Sequence, residues 1–126
     1  MLRTIMRIVI GLVGLLNIAL GLGFLLQPAR MAADFALSPI GSQGLASLRA
    51  DFTGFFIGAA VFALIGAWRA DPKPLLVPLL MLGLALTGRA VSLGLDGVGP
   101  QALPPMFIEL VMLVLLLLAR RSFARS

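Results

Sequence analysis

Residues 5–26 read IMRIVIGLVGLLNIALGLGFLL, and this apolar run decides the fold class. A transmembrane helix needs about 20 mostly apolar residues, within a range of roughly 17–25. The run carries a single charge, Arg7, near its start and stops at Gln27-Pro28. It is longer than the roughly 7–15 apolar residues of a signal peptide, and no small-residue cleavage site follows it. We therefore expect a retained membrane helix.

Three further apolar runs follow the first one. The second ends at Trp68-Arg69, the third opens after Pro74, and the fourth ends before Arg120-Arg121. The four predicted helices cover residues of about 5–26, 43–68, 75–95 and 103–121. Strands are excluded, since an open sheet edge cannot face lipid. The sequence predicts an all-α fold: an up-down-up-down bundle of four transmembrane helices that forms one integral membrane domain over residues 1–126.

The composition of the chain excludes most kinds of catalytic site. Of its 126 residues 60% are hydrophobic and 12% are charged, against about 45–50% and 25% in a soluble domain. There is no cysteine and no histidine, which removes disulfides, thiolate nucleophiles, the usual zinc sites and any imidazole base. We expect no enzyme activity, no catalytic residue, no metal and no cofactor.

The distribution of basic residues predicts the orientation in the membrane. With four spans both termini lie on one side, and that side carries seven basic residues. They are Arg3, Arg7, Arg69, Lys73, Arg120, Arg121 and Arg125. The other side has Arg30 in a loop and Arg49 at a helix edge. The positive-inside rule then places both termini in the cytoplasm and the chain in the inner membrane. The net charge of +5 is explained by lipid, so a nucleic-acid partner is not expected.

Five ionisable side chains lie within the predicted spans. They are Arg49, Asp51, Arg89, Asp96 and Glu109. Each costs about 2.5–3.5 kcal/mol on insertion scales, so each needs a reason. The predicted topology places all five in the outer half of the bilayer, at one end of the bundle.

Depth and helical phase suggest how these charges pair. Glu109 has no basic residue within reach on its own helix, and Arg89 is the best partner by depth. We expect an Arg89–Glu109 pair, completed by Asp51 or Arg49. On the third helix Asp96 shares a stripe with Arg89. Three interpretations stay open: a purely structural ion pair, a pocket in which Arg89 or Arg49 binds an anionic or polar headgroup, and a proton relay at Glu109.

Small residues mark the faces where helices approach closely. The first helix carries a stripe of Gly11, Gly14, Asn17 and Gly21, and the second carries Gly54-x-x-x-Gly58. We expect these glycines to pack within the chain rather than in a homodimer, with Asn17 bonding across the contact or touching a ligand. In the loop between the helices, residues 29–37 predict a short interfacial helix with Met31 and Phe35 facing lipid.

Four segments carry a resemblance to a known family. They are residues 16–28 (LNIALGLGFLLQP), 48–56 (LRADFTGFF), 88–97 (GRAVSLGLDG) and 108–110 (IEL). With these motifs the chain resembles a bacterial family of small four-helix integral membrane proteins described only as a domain of unknown function. The resemblance spans most of the chain and implies the fold, but it offers no catalytic residues.

The sequence favours a non-enzymatic membrane protein, either an accessory subunit or a binder of a lipid-like or anionic small ligand. A homo-oligomer and a membrane-protein partner both stay open. The alternative is a proton-coupled small-molecule transporter that uses Glu109. The small four-helix multidrug exporters carry their acid in the first helix and show little charge bias, whereas this chain has no acid there and a strong bias.

Overall fold

The computed structural model describes residues 1–125, and this part of the chain is helical with no strand. In order along the chain, the elements are α1 (Leu2–Leu26), α2 (Pro28–Asp34), α3 (Gly41–Ser47), a π-helical turn (Leu48–Phe52), α4 (Thr53–Arg69), α5 (Leu76–Leu95), a 3-10 turn (Pro100–Ala102) and α6 (Leu103–Ala124). The π turn joins α3 to α4 without a break, so residues 41–69 form one long helical rod.

Four segments are long and apolar enough to cross a membrane, as predicted. They are Leu2–Leu26, Gly41–Arg69, Leu76–Leu95 and Pro100–Ala124. Three of them run slightly past the predicted limits, because a helix satisfies its own backbone hydrogen bonds beyond the apolar core of a membrane, whereas Leu76–Leu95 matches its predicted limits to within one residue. The end of α4 is set by Ala70, whose left-handed backbone (φ 50°) lets the Asp71 N–H donate to Gly66 O at 3.0 Å.

Each of the four spans packs against two neighbours. Helix α1 contacts α4 and α6, and α5 contacts the same two helices from the other side. The α1–α4 contact is antiparallel, since Arg7 Nε donates to Ala67 O (2.9 Å) while Thr53 Oγ1 donates to Gly21 O (3.3 Å). The ring of contacts positions the first halves of α4 and α6 beside the second halves of α1 and α5.

Glycines of α1 form the tightest helix contact, but not all the predicted ones take part. A methyl group added at Gly14 would lie 2.7 Å from Leu64 Cγ, and one at Gly21 would meet Ile57. By contrast, Gly11, Gly54 and Gly58 have no neighbour within 4 Å of such a methyl. The expectation that Gly54-x-x-x-Gly58 packs within the chain is therefore wrong. The larger α4 side chains fill the grooves above the α1 glycines instead.

Two apolar cores lie at opposite ends of the ring. The first, near the termini, is built from alanines of α4 and from larger side chains such as Ile10, Leu75 and Leu116, all fully buried. The second surrounds Phe24, Ala32 and Leu48 at the other end. The short helix α2 packs against this second core, and a short helix was predicted in this loop over residues 29–37.

Two side chains of α2 point the opposite way from the prediction. Met31 and Phe35 pack against the second core rather than facing lipid. The Phe35 ring lies 5.2 Å from the Phe24 ring, edge to face, and Met31 covers Gly23. Aromatic pairs at this distance gain about 0.5–1.5 kcal/mol beyond the area they bury, which favours the inward orientation.

Candidate functional site

A cavity of about 510 Å³ opens between the two cores, in the half of the bundle away from the termini. Ligand pockets typically measure about 300–1,000 Å³. The wall is mostly apolar and includes side chains of every span, among them Leu16, Leu20, Leu82, Ile108 and Met112. Three charged side chains, Asp51, Arg89 and Glu109, also reach the wall. The structure thus combines an apolar chamber with a small charged patch.

Phenylalanines form one side of this chamber. Phe52, Phe55 and Phe56 reach the wall from the middle of the second span, together with Phe35, which directly follows α2. Behind them, Phe24 is fully buried and stacks on Phe56 with ring centroids 5.7 Å apart. Because these rings support one another, the aromatic side of the cavity is preformed. The sequence analysis did not identify this cluster, although the close spacing of three phenylalanines over residues 52–56 was its visible signal.

Arg89 and Glu109 form the ion pair that was predicted from their similar depth in the membrane. Arg89 Nε lies 2.6 Å from Glu109 Oε1 and joins α5 to α6 on the cavity wall. The Glu109 side chain is 13% exposed and that of Arg89 is 37% exposed. The guanidinium N–H does not align with Oε1, and this buried oxygen accepts no hydrogen bond from residues 1–125.

Asp51 reaches the cavity from the π turn. Its side chain is exposed, and within the described part of the chain it makes no ion pair and no hydrogen bond. Single π turns inside α-helices are rare and occur frequently at functional sites. Here the turn covers Leu48–Phe52 and carries both Asp51 and the first cavity phenylalanine. Of the two residues expected to complete the charge network, it is Asp51 that shares the chamber with Arg89.

Arg49 is not among the residues that line the cavity, and its expected role in ligand binding stays a prediction. Its Nε donates a hydrogen bond to Leu25 O at 3.0 Å. The last carbonyls of a helix have no partner within the helix, so a basic side chain nearby satisfies one of them. Arg49 thus closes the end of α1 and ties the π turn to it.

Asp96 is also outside the site. It follows the last residue of α5, is exposed, and its backbone N–H donates to Ser92 O at 2.9 Å. Of the predicted stripe, Arg89 lines the cavity, whereas Asp96 lies seven residues further along, beyond the end of α5 at Leu95.

Asn17 holds α1 against α6 beside the cavity. It is 5% exposed, and its Nδ2 donates to Val13 O at 2.8 Å and to Met112 Sδ at 3.8 Å. The amide is absent from the cavity wall, whereas Met112 is part of it. Asn17 therefore acts on the site through the position of Met112, not by touching the chamber.

Two basic residues at the opposite end donate to backbone carbonyls at the end of α4 and in the loop after it, a role not expected from the sequence. Arg7 donates to Ala67 O and Trp68 O at 2.9 and 2.7 Å, at the end of α4. Arg120 Nε donates to Pro72 O at 3.3 Å. Over residues 1–125, no group of three His, Cys, Asp or Glu side chains is placed to hold a metal ion.

Comparison with known proteins identifies the family of the chain. Residues 5–120 match the family described as "Domain of unknown function (DUF4345)", and the chain belongs to it. This confirms the resemblance carried by the sequence motifs. No curated protein and no solved structure matches the chain. The functional argument therefore rests on the cavity.

Proposed function

We propose that the chain is a multi-pass protein of the bacterial inner membrane that binds a lipid-like amphiphile in the cavity and performs no chemistry on it. One observation carries this proposal: an apolar chamber of about 510 Å³ has a charged patch on its wall. An acyl or alkyl chain gains about 0.8 kcal/mol per buried CH₂ relative to water. The charged patch gives the polar end of such a molecule a fixed place.

The position of the cavity supports a ligand that enters from the membrane. The chamber lies in the half of the bundle that the positive-inside rule places toward the outer face. Asp51 is exposed and lies in the first half of the second span (Gly41–Arg69), with the half-buried Phe55 one turn further along. The polar group of an amphiphile would remain near this level while its chain extends along Leu16 and Leu82.

The alternative function is proton-coupled transport through Glu109. It is favoured by Glu109, a carboxylate on the cavity wall whose side chain is 13% exposed. The Arg89 guanidinium argues against it, because its Nε lies 2.6 Å from Glu109 Oε1 and a transport cycle through Glu109 would have to break this ion pair. Proton-linked uptake of a cationic dye into reconstituted vesicles, abolished in Glu109→Gln, would establish transport instead of binding.

Native mass spectrometry of protein released from its own membranes tests the binding proposal. The informative pair of variants is Ala85→Trp, which fills the cavity wall, and Ala90→Trp, which adds the same ring to an exposed position of α5. We expect a discrete extra mass on the wild type and on Ala90→Trp, and its loss from Ala85→Trp. A bare wild-type chain contradicts the proposal. A heavier protein assembly without a small ligand would favour an accessory subunit or a homo-oligomer.

A further inference from the structure

We infer that the cavity selects an amphiphile whose polar end is an ammonium group, and that Asp51 is the carboxylate that binds it. The inference rests on the proposed function and specifies its ligand. It reverses the expectation from sequence, in which an arginine would bind an anionic headgroup.

The charges on the wall give the first argument. One positive and two negative side chains reach the cavity, and the positive one, Arg89, already lies 2.6 Å from Glu109. Asp51 is left without a counter-charge within residues 1–125. Arg49, the other arginine at this end, is bound to the Leu25 carbonyl. The wall thus has one negative charge in excess, on the exposed Asp51, so a ligand with one positive charge complements it.

The charged side chains of the wall oppose the binding of an anionic headgroup. To reach the Arg89 guanidinium it would have to displace Glu109 or lie against a wall whose net charge is negative. Displacing Glu109 would leave a carboxylate that is 13% exposed without its partner. Removing one member of such a buried pair is strongly unfavourable. The geometry thus opposes an anion and favours a cation.

The remaining groups of the wall suit an ammonium group in detail. The exposed Asp51 carboxylate makes no ion pair or hydrogen bond within residues 1–125, and an ammonium N–H can donate to it. Phe52 follows Asp51 directly, and Phe55 reaches the same wall. The faces of aromatic rings attract cations within about 6 Å of the ring centroid. An unpaired carboxylate and aromatic rings together form a site for a cation attached to an apolar chain.

Two probes with the same twelve-carbon chain test the inference: dodecylammonium and dodecyl phosphate. The full-length protein is kept in dodecyl maltoside, whose neutral headgroup on an identical chain provides a constant competitor. Each probe is titrated below its micellar concentration, and native mass spectrometry measures the bound fraction. The variant is Asp51→Asn, and the control is Asp34→Asn, an exposed carboxylate on α2 that does not reach the cavity. Circular dichroism verifies that both variants are folded.

We expect dodecylammonium to bind more tightly than dodecyl phosphate, and Asp51→Asn to weaken its binding about tenfold, as befits one charge-assisted hydrogen bond. Asp34→Asn should bind as the wild type does. Equal binding of both probes, stronger binding of the phosphate, or an unchanged affinity in Asp51→Asn would overturn the inference and leave the amphiphile site standing. Binding of neither probe would overturn the proposed function as well.

Discussion

Removing either partner of the Arg89–Glu109 pair should destabilise the protein, and removing both should cost little more than removing one. At 2.6 Å and an effective dielectric constant of about 20, two unit charges attract by about 6 kcal/mol. Desolvation offsets part of this, and losing one partner of a buried pair typically costs 3–5 kcal/mol. Because Arg89 is 37% exposed, we expect Glu109→Gln or Arg89→Met to lower the free energy of unfolding by about 2–4 kcal/mol. The coupling energy between the two substitutions should be about 2 kcal/mol.

The assay is reversible unfolding in mixed micelles of dodecyl maltoside and dodecyl sulfate, followed by far-ultraviolet circular dichroism. Fluorescence of the single tryptophan, Trp68, provides a second probe. The wild type, both single variants and the double variant complete the cycle. Arg49→Met serves as the control arginine, with an expected loss of about 1 kcal/mol for its hydrogen bond to the α1 carbonyl. Single costs that add to within about 0.5 kcal/mol would refute the pairing argument.

Three further predictions concern the packing and the orientation. Gly66→Ala should lower the free energy of unfolding by about 1–3 kcal/mol, because its methyl group would lie 2.5 Å from Leu75 Cδ2. Gly58→Ala, with open space around it, should leave this free energy unchanged or raise it by up to about 1 kcal/mol. The same unfolding assay compares the two variants. Arg7→Met should lower the free energy of unfolding by about 1–3 kcal/mol because it removes the Arg7 hydrogen bonds to Ala67 O and Trp68 O. Thermal unfolding that matches the wild type would contradict this role. Since the chain has no cysteine, Ser38→Cys should react with an impermeant maleimide in intact cells and Ser122→Cys only after lysis; the reverse pattern would invert the proposed orientation.

The spans and the ion pair could be predicted because each depends on one-dimensional information. Hydropathy over about 20 residues identifies a span, and the order of the spans sets the depth of every charge. Glu109 lies in the first half of the fourth span and Arg89 lies late in the third, so the sequence alone places both at a similar depth. The short distance between them follows from that shared level and from the contact of α5 with α6.

The cavity could not be predicted, because it is the space left by side chains from several elements. Its aromatic side exists because Phe24 is buried deeply enough to hold Phe35 and Phe56 against it. The role of Arg49 could not be predicted from the sequence for a related reason. Sequence patterns assign a basic side chain to a charge or to lipid, whereas here a backbone carbonyl at the end of α1 is the nearer acceptor.

The π turn at Leu48–Phe52 makes the position of Asp51 sensitive to the deletion of a single residue in related sequences. Such a turn holds one residue more than the α-helical path needs. Loss of a single codon within it would restore a regular helix and rotate everything before it by about 100° relative to α4. Arg49 would leave the Leu25 carbonyl and the acid would leave the chamber, while all four apolar spans stayed intact. A relative of this chain that lacks one residue here would therefore keep the architecture and lose the carboxylate from its cavity.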